Sequence, residues 1–246
     1  MKLINAKGVY YKQLNEMIRA EIRSGTKEIK VTNVVGQRYI GGGLEDGDVK
    51  IHIEGVPGED LAAFMDGPTL NVRNNAQDGV GNTMNSGKII VHGMAGDVIG
   101  YGMRGGKIYI RDDVGYRVGI HMKGYLDKVP VMVIGGRAGD FFGEYMAGGI
   151  VVLLGATTNN SKPIVGDYCA AGMHGGTIYI REEVEDRFLG KEVKKFSLEK
   201  KDEKLLTPIL NEFLSDLDIS LDIFDFSRYI KLIPVSSRPY GRMYVY

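Results

Sequence analysis

Several residues in this chain have types and spacings that chemistry uses. Aspartates stand at Asp78, Asp97, Asp140 and Asp167. Paired carboxylates about 5–10 Å apart on an exposed groove cleave glycosidic bonds. Each of these aspartates also begins a similar phrase, which suits the simpler role of an Asx acceptor holding its own turn. Gly100-Tyr101-Gly102-Met103-Arg104-Gly105 spells G-x-G-x-x-G. That loop binds phosphate only when it follows a strand and opens a helix. Here a strand-like run follows it, and degenerate copies lie 19 residues to either side. Gly41-Gly42-Gly43 has the composition of an anion nest, and equally of a chain corner. His52, His92, His121 and His174 form no H-x-x-x-H pair, and a metal needs three or four converging ligands. The single cysteine, Cys169, excludes an internal disulfide or a cysteine-held cluster. It occupies a column of apolar residues, where a cysteine acts as a small hydrophobe. No nucleophile–base–orienter set emerges, so no catalytic, cofactor-binding or metal-ligating residue is assigned.

The elements behind these residues are repeats. Methionine returns at Met65, Met84, Met103, Met122, Met146 and Met173, with gaps of 19, 19, 19, 24 and 27. The phrase around it reads Gly100-Tyr101-Gly102-Met103-Arg104-Gly105-Gly106-Lys107-Ile108-Tyr109-Ile110 and, later, Ala170-Ala171-Gly172-Met173-His174-Gly175-Gly176-Thr177-Ile178-Tyr179-Ile180. Most coils place alternating apolar pairs five and seven residues past the methionine, as in Leu70/Val72, Ile89/Val91 and Ile108/Ile110. Such pairs read as half-buried strands. A second apolar column (Leu61, Val80, Ile99, Val118, Phe142, Cys169) is followed each time by a small residue, including Gly81, Gly100, Gly119 and Gly143. Small residues there fit a tight corner between closely stacked coils. A period of 19 is too short for a βαβ unit. It predicts a right-handed, single-stranded parallel β-helix of seven or eight coils, roughly 30–35 Å long at the stacking distance of strands. Residues 127–131 and 156–163 are extra to the period and read as loops bulging from one coil.

The flanks differ from the repeat. Residues 1–24 read as a helical cap with a stripe at Tyr10, Leu14, Met17, Ile18 and Ile22. Residues 25–184 are the solenoid, and 185–246 a helical then extended tail packing on it or on a partner. The flanks are expected to close the two open edges of the stacked strands. Near the end, Arg238, Tyr240 and Arg242 stand together and read as interface anchors of a docking tail. The 31 basic residues balance 31 acidic ones, which argues against a charge-driven nucleic-acid or membrane-surface role. No apolar run approaches the 18 residues a bilayer span needs, and no secretory leader is legible. A lone cysteine fits a reducing cytoplasm.

The registered phrase G-x-x-M-x-G-G-x-I-x-I resembles the GXGXG domain, the β-helical C-terminal domain of the glutamate synthase large subunit. A related domain occurs in the β-helical component of formylmethanofuran dehydrogenase. Asn75-Ala76-Gln77-Asp78-Gly79-Val80-Gly81 and Gly143-Glu144-Tyr145-Met146-Ala147-Gly148-Gly149 look like the glutamate synthase versions. The tail through Arg238-Pro239-Tyr240-Gly241 looks like that of stand-alone archaeal-type proteins. The resemblance implies a non-catalytic scaffold in a split glutamate synthase, which makes glutamate from glutamine and 2-oxoglutarate. Its partners would be an amidotransferase subunit and an FMN- and iron–sulfur-bearing subunit, with no cofactor in this chain. The β-helical scaffold of a formylmethanofuran dehydrogenase complex is the alternative, and a β-helical carbohydrate enzyme using the aspartate rows is another. A homo-oligomer stays open.

Overall fold

The structure, a computed structural model, describes residues 1–157 and 162–235. Strands β1 (Lys2–Asn5), β2 (Glu28–Val35), β3 (Lys50–Val56), β4 (Asp66–Val72), β5 (Ser86–Val91), β6 (Lys107–Ile110), β7 (Val131–Ile134), β8 (Ala147–Leu153) and β9 (Gly175–Ile180) pair in parallel, each with the next. The predicted stacking register holds: Leu70 pairs with Ile89, Ile89 with Ile108, Ile108 with Met132, Met132 with Val151, and Val151 with Ile178. One face of this ladder lines the inside of a parallel β-solenoid of about six turns, rather than the seven or eight coils expected.

The count follows from the corners. Seven six-residue corners begin at Tyr39, Asp60, Gly79, Val98, Arg117, Phe141 and Tyr168, and seven corners bound six full turns. Every corner carries three positive-φ residues at alternate positions, for example Val98 (φ 52), Gly100 (φ 67) and Gly102 (φ 56). Alternation turns successive N–H groups toward opposite neighbours. Gly81 donates back to the Leu61 carbonyl at 2.8 Å, and Thr83 donates forward to the Tyr101 carbonyl at 2.7 Å. The left-handed region disfavours a β-branched residue such as Val98, and these coil-to-coil bonds hold it there. Gly41-Gly42-Gly43 is the first of these corners, with Leu44 in the methionine position.

The methionine column is fully buried from Met65 to Met173. Its pairing with glycine has a steric cause. A Cβ on Gly106 would stand 2.6 Å from the Met84 methyl, and one on Gly176 would stand 2.6 Å from the Met146 methyl. The flexible thioether of one coil therefore fills the space left by the second glycine of the next.

The flanks close the solenoid differently from the expectation. Helix α1 (Tyr11–Arg23) buries Leu14 and Ile18 against the first coils, while Tyr10 and Met17 from the expected stripe face outward. It plugs the core end, but the sheet edge beside it is β1, a strand with no repeat signal. At the other end β11 (Ile230–Pro234) pairs antiparallel with β9, and β10 (Val193–Ser197) antiparallel with β11. The reversal ends the parallel stack. Helix α2 (Lys200–Leu217) is not an end cap. It lies across the outer face of the sheet, where Leu206, Leu210, Phe213 and Leu217 form a second core with Tyr109, Val133, Val152 and Tyr179. Among the described residues no helix is long and apolar enough to cross a membrane.

Candidate functional site

The aspartate rows bind the stack rather than a substrate. The Asp78 Oδ1 accepts from the Asp97 N–H at 2.8 Å, and the Asp97 Oδ1 accepts from the Tyr116 N–H at 2.9 Å. The Asp140 Oδ1 accepts from the Asp167 N–H at 2.9 Å. Each carboxylate thus holds the following coil, not its own turn as expected from the sequence. The contact also explains a set of glycines. A Cβ on Gly96 or Gly115 would lie 1.9 Å from the carboxylate of the preceding coil, far inside any non-bonded contact.

The other candidates are equally absorbed. The N–H groups of Gly100 and Gly102 go to the Val80 and Ile120 carbonyls at 2.8 and 2.9 Å, so they are not aimed at a phosphate. Cys169 is buried in the inner column, and burial pushes its thiol up to about 12, so it stays protonated. His52 faces Glu28 at 3.2 Å, and the His174 Nδ1 lies 3.1 Å from the Gly172 carbonyl. His92 is held below the usual histidine range by burial and by Arg73 and Arg111. No group of three or more potential metal ligands converges among the described residues. Met65, Met84, Met103, Met122, Met146 and Met173 line the interior, and Gly81, Gly100, Gly119 and Gly143 are the middle left-handed residues of their corners. Arg238, Tyr240 and Arg242 lie outside the described residues.

What stands out instead is the outer surface of the corners. Where the first or last left-handed position of a corner carries a side chain, that side chain is part or fully exposed, and coil stacking lines several of them up. Tyr145 stacks on His121 with centroids 5.3 Å apart and planes at 11°. Tyr101 meets the other side of His121 edge-on at 5.8 Å. In the parallel row Tyr168 stacks on Phe141 at 5.1 Å, and the Arg117 guanidinium lies 4.8 Å from the Phe141 ring centre. Arg117 is fixed from behind, where its Nε donates to Glu144 at 3.0 Å. Tyr145 is 47% exposed and Tyr168 59% exposed.

Two short stacks of aromatic rings and one arginine therefore form a ridge on a backbone that cannot easily rearrange. Aromatic and arginine side chains on a rigid surface are the residue types that anchor protein interfaces. Sequence reasoning alone misses this ridge, although its positions are periodic. They sit beside the small corner residues, and only the left-handed backbone turns them outward.

A protein-family model described as the GXGXG motif matches residues 9–231. An uncharacterized protein of Methanocaldococcus jannaschii is 45% identical over 251 residues, covering 98% of this chain and 95% of its own length. The ferredoxin-dependent glutamate synthase 2 of Synechocystis sp. is 33% identical over 165 residues, covering 64% of this chain. The glutamate synthase [NADPH] large chain of Bacillus subtilis is 32% identical over 158 residues, covering 61% of this chain. The match spans 10% of each of those two polypeptides.

Proposed function

This chain belongs to the GXGXG-motif family, and from that premise we propose that it is the non-catalytic scaffold subunit of a split glutamate synthase. The observation that carries the reading is the partial match. A stretch of this chain is about one-third identical to a tenth of each glutamate synthase polypeptide. The matched stretch of this chain is solenoid, and the reaction needs far more protein than a solenoid of this size. The glutaminase cysteine and the FMN and iron–sulfur centres would reside on separate amidotransferase and flavin-domain subunits.

The physical properties of the fold support such a role. A solenoid locked by coil-to-coil bonds holds two partners at a fixed separation, and catalysis that passes an intermediate between sites depends on fixed geometry. The ridge of Tyr101, His121, Tyr145, Phe141 and Tyr168 would supply one docking surface. The carbohydrate-enzyme reading loses support, because Asp78, Asp97 and Asp140 each accept a backbone N–H bond from the next coil.

The test is capture from native cells with the full chain as bait. Recovery of an amidotransferase together with an FMN- and iron–sulfur-containing subunit is expected. Recovery of a molybdenum or tungsten subunit instead would move the chain to a formylmethanofuran dehydrogenase complex. Flavin absorbance or glutaminase activity in the isolated chain would overturn the non-catalytic assignment.

A further inference from the structure

A concavity of about 610 Å³ opens between α1 and the first three corners. None of the residues that suggested chemistry in the sequence lies in it, apart from the glycines of the first corner. It is independent of the scaffold role, and α1 forms one wall.

The apolar side of this concavity is aromatic. Tyr11 of α1 and Tyr39 of the first corner meet with ring centres 5.8 Å apart. Phe64, at the end of the second corner, is 59% exposed and has a left-handed backbone (φ 59). Its ring therefore leaves most of its surface uncovered beside the concavity.

The polar side carries opposite charges that do not neutralise each other. The Arg19 Nη2 donates to the Gly42 carbonyl, which fixes the guanidinium on the wall. Its remaining N–H groups have no carboxylate partner among the described residues. Glu16, three residues earlier on the same helix, makes no ion pair among the described residues. The Asp60 Oδ1 accepts from the Asn82 amide at 3.1 Å, which positions the carboxylate without neutralising it. Just outside, Arg38 and Glu59 do pair, at 3.1 Å. Opposite charges beside an aromatic wall, with Arg19 and Asp60 each held by a hydrogen bond, complement a ligand that carries both charges and an apolar group.

The geometry points to a site for a free α-amino acid with an aromatic or branched apolar side chain. Its carboxylate lies on Arg19, its ammonium between Glu16 and Asp60, and its side chain against Phe64 and Tyr39. The volume admits such a ligand with room for retained water.

The experiment uses the full chain and calorimetric titration with L-phenylalanine, 3-phenylpropionate and 2-phenylethylamine. The last two each lack one charge. Saturable binding of L-phenylalanine is expected, with each analogue weaker by about tenfold or more, since each leaves a charge of the site unpaired. Phe64→Ala and Glu16→Gln, both at exposed positions, are expected to weaken binding by about tenfold while leaving the melting temperature within about two degrees. L-leucine is expected to bind within about tenfold of L-phenylalanine. Absence of saturable binding for both amino acids would overturn the assignment. So would equal binding of either one-charge analogue, or binding that neither substitution alters. Partner capture reads the scaffold role separately, so failure of one leaves the other standing.

Discussion

The two faces of the one sheet carry two cores of different kinds. The inner face buries Leu70, Ile89, Ile108, Met132, Val151 and Ile178 in one row, each the counterpart of the last in the next coil. Nothing polar is needed, because stacking satisfies the backbone and the side chains are all apolar. The outer face is closed by α2, and its seam mixes apolar packing with charges. Phe213 meets Tyr109 edge-on at 5.7 Å. Around it Lys88 reaches Glu212 and Asp216 at 2.5 and 2.7 Å, and Lys107 also binds Glu212. At the other end of the helix Lys231, almost fully buried, binds Asp202 at 2.7 Å, and the Tyr179 hydroxyl donates to the same carboxylate at 2.8 Å. A repeat makes its core by copying one contact. A helix laid across a repeat has no copy to match, so it needs contacts that fix one position and one direction.

That contrast can be broken most severely on the inner face. Ile108→Asp places a charge where no polar group waits, and a loss of about 5 kcal/mol or more is expected, up to failure to fold. A melting temperature within a degree of wild type would show that the column is misassigned. On the outer face Phe213→Ala should cost about 4 kcal/mol, read by urea denaturation. Hydrogen exchange should then quicken in α2 before it quickens in β5 or β6. Uniform quickening would mean that the two cores unfold as one.

The polar end of the seam gives a pH signature that the inner face lacks. Burial raises the Asp202 carboxyl, but Lys231, the Glu199 N–H and Tyr179 outweigh it and hold it below its ordinary 3.8. A depressed carboxylate contributes stability that is present above its unfolded pKa and is lost as pH falls through the folded value. Asp202→Asn should therefore cost about 3 kcal/mol near pH 7, with the gap to wild type narrowing below about pH 4. A gap constant from pH 7 to pH 3 would remove the ionic account. Asp97→Ala should cost about 1 kcal/mol, because it leaves the Tyr116 N–H without its acceptor, while Asp97→Asn keeps an acceptor and should cost less than half of that. Equal costs would mean that charge, not acceptance, matters there. The smallest stability effect belongs to the ridge. Tyr145→Ala should shift stability by about 0.5 kcal/mol or less yet reduce partner capture several-fold.

Much of the solenoid was legible because its signals are local and repeated. The interval from Met84 to Met103 states the coil length, and the pairs Ile89/Val91 and Ile108/Ile110 state the strand and its inward face. The flanks were read less well. Lys2–Asn5 has no periodicity and becomes a strand only because β2 offers an open edge. The outer position of α2 depends on Lys231 meeting Asp202 across 29 residues, a pairing that no pattern announces. The aromatic ridge is hidden for another reason. Tyr145 and His121 lie 24 residues apart, and their stacking needs successive corners in register and a left-handed backbone at each.

Sequence alone determined the period, the inward columns and the glycine corners, since each follows from residue size and hydrophobicity repeated at a fixed interval. Tertiary structure alone decided which atoms the polar side chains meet. Asp78 reaches the next coil rather than its own turn because stacking brings the Asp97 N–H within 2.8 Å. The aromatic rings face outward because the corner backbone turns left-handed to satisfy both neighbouring coils. Apolar burial is a property that a residue carries with it, whereas a hydrogen-bond or stacking partner is set by geometry between segments far apart in the chain.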